Sequence, residues 1–124
     1  MTLQFYKCKH CGQIVAKVEA TNADIICCGE PMEEMIPNTV DASQEKHVPV
    51  SKCKDGELRV CVGSEDHPMS KDHYIKWIYV ETKTGSYFRC LRPDDKPHAC
   101  FTLGKKEKPE KIYTLCNIHG LWMA

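Results

Sequence analysis

From Glu45 onward the chain is a succession of short apolar runs, rich in β-branched and aromatic residues and broken by turn-forming ones. "HVPVSKC" and "ELRVCVG" flank Lys54-Asp55-Gly56, and Asp-Gly between two such runs predicts a β-hairpin. "HYIKWIYVET", "TGSYFRCL", "HACFTLG" and "EKIYTLC" follow, separated by Gly, Pro and charged clusters. His47 is expected to open the first of these strands. No long amphipathic helix is visible, and Pro93, Pro97 and Pro109 limit helix extension between the late runs. Short strands at this spacing predict an all-β fold, a sandwich or a barrel, large enough to bury one core. Ahead of them "IPNTVDASQ", Ile36 to Gln44, favours turns and extended backbone and is expected to be a linker. It divides the chain into a cysteine-rich segment, 1–36, and a β domain, 37–124. No internal repeat or low-complexity tract is present.

Charge narrows the function. Lys+Arg and Asp+Glu number 17 each in 124 residues, a net charge of zero. A nucleic-acid binder normally carries a basic excess for phosphate contacts, so nucleic acid is not an expected partner. No apolar run approaches the roughly 20 residues of a membrane span, so no membrane is expected either. "MTLQFYKC" lacks both an apolar signal core and an Arg-rich presequence, and a cytoplasmic location is expected. Nine cysteines and six histidines are then many. In a reducing compartment such a density points to metal or redox chemistry rather than disulfides.

Cys8, Cys11, Cys27 and Cys28 form the first cluster. A Cys-x-x-Cys turn aims two sulfurs at one ion, and a second pair completes a tetrahedral thiolate site for zinc or iron. Cys27 and Cys28 are adjacent, and neighbours on an extended chain point to opposite faces. The backbone must therefore bend there, and Gly29 is available for the turn. His10, between two ligands, is expected to be an exposed side chain. "YKCKHCGQIV" and "CCGEPM" resemble desulforedoxin, a rubredoxin-like mini-domain, and the resemblance implies one iron in four thiolates.

The second group is His47, His67, His73, Cys116 and His119. Cys116-Asn117-Ile118-His119-Gly120 can present two ligands from one turn. Pro68 biases His67 to extended backbone. His67 and His73 can share an ion only if their segment curves as a loop, because six residues of straight strand span roughly 20 Å. Spacing alone leaves open whether these distant segments meet. "EKHVPV", "HPM" with a His four residues after the Met, "HYIKWI" and "CNIHG" resemble the signature of superoxide reductase. The whole chain is similar to desulfoferrodoxins, the two-iron class of that family. The resemblance implies an immunoglobulin-like β-sandwich and an oxidoreductase that reduces superoxide to hydrogen peroxide at a non-haem Fe(His)4(Cys) centre. It implies His47, His67, His73 and His119 as equatorial ligands and Cys116 as the axial thiolate, with the opposite position open. It gives Lys46 the role of drawing superoxide in, and Glu45 that of taking the open position once the iron is ferric. Two irons per chain, a homodimer and a rubredoxin or similar electron donor are implied as well.

Other residues attract simpler readings. Backbone N–H groups of the Asn117-Ile118 turn either tune the Cys116 sulfur or merely shape the loop. Tyr74, Ile75, Trp77 and Ile78 are expected to pack the core or line the site. Cys53, Cys61, Cys90 and Cys100 are expected on strands as small buried hydrophobes. His98 is expected in a loop, and "GKKEKPEK" as a solvated turn. Two other functions fit part of the pattern: a non-catalytic rubredoxin-like electron carrier, and a structural zinc-binding module. Neither has need of an open second centre.

Overall fold

The computed structural model describes residues 3–124. The chain forms two compact units, Met1–Ile36 and Pro37–Ala124.

In the first unit, β1 (Gln4–Lys7) pairs antiparallel with β2 (Ile14–Lys17) on one side. On its other side it meets β5 (Glu33–Glu34). Between them β3 (Ile26–Cys27) and β4 (Glu30–Pro31) make a separate hairpin. Its two connecting residues, Cys28 (φ 52°) and Gly29 (φ 78°), are both left-handed. That is the geometry whose twist suits a two-residue hairpin. The bend expected at the adjacent cysteines is thus a tight turn that aims Cys28 differently from Cys27. Among the described residues of this unit, only Leu3, Phe5, Cys8 and Met32 are buried.

The second unit is a sandwich of a three-stranded sheet, β10-β7-β6, and a four-stranded sheet, β12-β11-β8-β9. The first holds β6 (Pro49–Lys54), β7 (Glu57–Val62) and β10 (His98–Thr102). The second holds β8 (Ile75–Glu81), β9 (Ser86–Cys90), β11 (Lys111–Cys116) and β12 (Gly120–Met123). Every pairing is antiparallel. The β6–β7 connection is the expected hairpin, with Asp55 (φ 52°) and Gly56 (φ 81°) at its tip. On β7, Leu58, Val60 and Val62 are buried and alternate with the exposed Glu57 and Arg59. They pack with Ile75, Ile78 and Val80 of β8, Ala99 and Phe101 of β10, Ile112 of β11, and Leu103. Period-two alternation places one face of each strand in this core.

Three expectations need correction, and the linker needs one addition. His47 does not open a strand. It closes a single helical turn, α1 (Gln44–His47), and β6 begins at Pro49. The segment expected as a linker is irregular but tied down. The Asn38 N–H donates to the Leu121 carbonyl (3.1 Å), and its side chain bonds the Met123 backbone in both directions (2.8 and 3.0 Å). Cys53, Cys61, Cys90 and Cys100 lie on strands but are not buried. Cys53, Cys90 and Cys100 are exposed, and Cys61 is half-buried. Register explains two of them: Cys61 falls between the inward Val60 and Val62, and Cys100 stands opposite the outward Arg59. His98 is the first residue of β10, not a loop residue, and pairs with Asp66 at 3.0 Å. Ile75 and Ile78 are core residues, whereas Trp77 lies with Tyr79 and Phe88 in an aromatic row (ring centroids 5.5–6.4 Å apart). No helix among the described residues is long and apolar enough to cross a membrane.

Candidate metal centres

The structure gathers two groups of metal-ligating side chains: Cys8, Cys11, Cys27, Cys28, and His47, His67, His73, Cys116, His119. Within each group one ligand atom per residue lies within 4.8 Å of the others.

The four-cysteine site is built by two turns. After β1 the Cys8 carbonyl accepts the Gly12 N–H (2.9 Å), and the Cys11 N–H points at Cys8 Sγ (3.5 Å). Gly12, at φ 81°, supplies the left-handed residue that closes this turn. The β3–β4 hairpin brings the second pair, with Cys11 Sγ 3.6 Å from Cys27 Sγ. The thiols do not titrate alike. The Cys11 N–H lowers the Cys8 pKa to about 6. Cys27 is pushed up to about 12, foremost because its proton is shared with the Cys8 and Cys11 sulfurs. Cys28 is raised for the same reason. Four sulfurs this close resist full ionisation, and a bound cation lifts that resistance. His10 is half-exposed and meets Glu30 Oε2 at 3.2 Å, where Lys9 Nζ also arrives at 3.0 Å.

The second site sits at one end of the sandwich. His47 comes from α1, His67 and His73 from the loop between β7 and β8, and Cys116 and His119 from the β11–β12 turn. His47 and His67 are 2% exposed and Cys116 is 1% exposed. Two hydrogen bonds fix the ring tautomers. His47 Nδ1–H donates to the Ser43 carbonyl (2.7 Å), and His67 Nδ1–H to the Pro68 carbonyl (2.6 Å). A carbonyl can only accept, so both Nε2 atoms are unprotonated in the neutral rings. Yet these two Nε2 atoms lie 3.2 Å apart, and His47 Nε2 lies 3.0 Å from His119 Nδ1. The first contact sets lone pair against lone pair, and a cation between them is what such a geometry accommodates. His73 Nε2 is buried without a hydrogen-bond partner among the described residues. The ring pairs meet edge-on at centroid distances of 4.7–5.1 Å around the group.

Electrostatics agree with a cation site. Burial lowers the pKa of His47, His67 (to about 4) and His73, keeping those rings neutral at pH 7. Burial raises that of Cys116, against the lowering by the His119 and Ile118 N–H groups. The His119 N–H lies 3.4 Å from Cys116 Sγ, so the turn does aim a donor at the sulfur.

Comparison with known proteins joins these observations. The desulfoferrodoxin family model matches residues 39–124, and the model of the desulfoferrodoxin N-terminal domain matches residues 1–35. The chain belongs to the desulfoferrodoxin family. It is 44% identical to the desulfoferrodoxin of Syntrophotalea carbinolica, over 98% of this chain and 95% of that one. The superoxide reductase of Pyrococcus abyssi is 38% identical, over 71% of this chain and 94% of its own. The crystal structure of the superoxide reductase from Treponema pallidum superposes with a TM-score of 0.84. It is 31% identical and covers 100% of this chain and 99% of its own.

Within this desulfoferrodoxin fold, several supporting residues escape sequence reasoning. The Asn117 side chain accepts the Tyr74 N–H (2.9 Å) and donates to the Asp72 carbonyl (2.9 Å). It thereby ties the Cys116–His119 turn to the segment carrying His73. Trp122 lies against the His47 ring (centroids 4.8 Å, 30° between planes), and its Nε1–H donates to the His119 carbonyl (3.1 Å). Met69 Sδ accepts the Ile75 N–H at 3.3 Å. For Trp122 the only sequence signal is an aromatic three residues beyond a ligand. Glu45 is exposed and Lys46 half-buried on α1, directly before His47.

Proposed function

We infer that this chain is a superoxide reductase, an antioxidant oxidoreductase that detoxifies superoxide: O2•− + e− + 2H+ → H2O2. The observation that carries the reading is the second group of donors. Three neutral imidazoles with depressed pKa values, a fourth from His119 and the Cys116 sulfur, a thiolate when a metal binds, face one point. Together they bring a single negative charge, too little to neutralise a divalent cation, so the site welcomes an anion. The set of five donors also differs from the four of a closed structural zinc site, and a metal held by it could take substrate as a further ligand. Iron bound there supplies the electron and a Lewis-acidic position for superoxide.

The chain's own residues do the rest. His47, His67, His73, His119 and Cys116 would together hold the iron. Burial keeps bulk water from the sulfur side, and the His119 N–H tempers the sulfur's charge. Lys46, on α1 beside His47, would draw the superoxide anion towards the site, and Glu45 on the same turn would help product depart. Domain roles follow: 1–36 holds one iron in Cys8, Cys11, Cys27 and Cys28, and 37–124 performs the reaction. Exposed Cys11 and Cys28 suit electron entry at the first site from a rubredoxin or similar donor, and the resemblance to desulfoferrodoxins favours a homodimer. All nine cysteines are free, as a reducing cytoplasm requires.

The test is stopped-flow mixing of the reduced, iron-loaded protein with superoxide. One peroxide per superoxide, with no oxygen evolved, is expected. Oxygen evolution would instead identify a dismutase, and a colourless protein with zinc in both sites would leave only a structural role.

A further inference from the structure

The turn that carries Glu45, Lys46 and His47 rests on a glycine that sequence reasoning passes over. A Cβ on Gly63, just after β7, would lie 2.5 Å from the Glu45 carbonyl oxygen and 2.9 Å from the Val48 carbonyl oxygen. Both obstacles are backbone, so no side chain can swing aside. These two carbonyls bracket Lys46 and His47. The neighbouring residues bind the same turn: the Glu65 N–H (2.9 Å) and Ser64 Oγ (3.2 Å) both donate to the Glu45 carbonyl. From β11, the fully buried Thr114 donates its hydroxyl to the His47 carbonyl at 3.2 Å. The Val48 N–H closes α1 on the Gln44 carbonyl (2.9 Å).

We propose that Gly63 is a positioning residue for the second metal centre: its bare Cα seats the Glu45–His47 turn at the depth that brings His47 into register with His67, His73, Cys116 and His119. Glu45 and Lys46 ride on the same turn, so Gly63 also sets where they stand relative to the metal. This second part rests on the function inferred above; the first does not. A methyl group at Gly63 pushes the turn outward, and His47 Nε2 leaves the positions 3.0 and 3.2 Å from its two neighbours.

The test uses the full chain and Co(II), whose visible bands report each site separately: four thiolates at one, imidazoles with one thiolate at the other. Gly63→Ala is expected to weaken Co(II) at the His4Cys site by about tenfold, the range typical of residues that orient ligands, and to leave the four-cysteine site unchanged. Gly85→Ala is the control, because a Cβ there meets nothing within 4 Å. Thr114→Val keeps the side chain's shape, removes the hydroxyl holding the His47 carbonyl, and is expected to give a smaller loss in the same direction. It also serves if Gly63→Ala fails to fold. Unchanged Co(II) affinity and spectra at the His4Cys site in every variant that folds would overturn the proposal. So would an equal loss at both sites, or an equal loss in Gly85→Ala. In the iron-loaded protein, Gly63→Ala is further expected to slow the reaction with superoxide and flatten its dependence on salt. A wild-type protein inert towards superoxide would sink the proposed function while leaving the Co(II) result to decide the role of Gly63.

Discussion

The two metal clusters are built by opposite strategies. The four cysteines come from a short stretch, Cys8 to Cys28, on two tight turns joined by strands of two to four residues. Little apolar surface is buried around them, and Cys11 and Cys28 are exposed. The five donors of the second site come from segments as far apart as His47 and His119, and a packed sandwich carries them to one end. The first site is therefore held by its metal as much as it holds the metal, as in other mini-domains too small for a core. The second is assembled by the fold, with the His47 and His67 tautomers set by main-chain carbonyls. A metal that organises its own ligands suits storing or passing an electron. A prebuilt site can leave a position unfilled.

Removing metal should break this comparison most visibly. We predict that chelation collapses the amide dispersion of residues 3–36 in a 15N–1H NMR spectrum, while the signals of both sandwich sheets persist. Loss of both units together would contradict the difference in construction. Next in size is a pair of substitutions. Cys116→Ala is predicted to slow superoxide reduction by more than about 100-fold, beyond the range of outer-shell changes, and to abolish the sulfur-to-metal absorption of that site. Cys11→Ser should change only the first site's colour and leave the rate of the reduced second site intact. Lys46→Ala comes third: a roughly tenfold slower second-order rate, with weaker dependence on ionic strength, if charge steers the substrate. Equal salt dependence in variant and wild type would remove that role.

The smallest predicted effect concerns the scaffold alone. Glu107 accepts hydrogen bonds from Thr82 (2.6 Å), Thr84 (3.2 Å), Tyr87 (2.5 Å) and the Gly104 N–H (2.7 Å). These bonds, Thr82 first, lower its carboxyl pKa to about 2. A folded pKa below the unfolded value means the unfolded chain takes up the proton first as pH falls. The stabilisation is thus complete above about pH 4.5 and fades towards pH 2. Glu107→Gln should lower Tm at pH 7, with the gap from wild type closing near pH 2, and should alter neither metal site's spectrum.

Much of this was legible in the sequence, for identifiable reasons. Alternating apolar residues wrote the strands, Asp55-Gly56 wrote its hairpin, and cysteine spacing wrote the first cluster. The second cluster was legible as a set of residue types, but its convergence is a property of the sandwich. Nothing local says that α1 and the β11–β12 turn share one end. The His47 tautomer depends on a carbonyl, and carbonyls leave no mark on a sequence. The outward cysteines were misjudged because composition reports how apolar a thiol is, whereas strand register decides which way it points. Strand β12 lay hidden because "GLWM" is too short to announce itself and forms only by pairing with β11, Thr114 to Trp122 and Leu115 to Leu121.

The use of main-chain carbonyls to orient His47 and His67 also bears on how the site tolerates mutation. A carboxylate partner can be lost through one codon change, but a peptide carbonyl is supplied by every amino acid. Ser43 and Pro68 can therefore vary in side chain while the acceptor at 2.7 or 2.6 Å stays in place, provided the backbone keeps its path. The vulnerability moves from the orienting residues to whatever fixes that path. The positions at which this centre is genetically fragile are then residues such as Gly63, Thr114 and Asn117, which touch no metal.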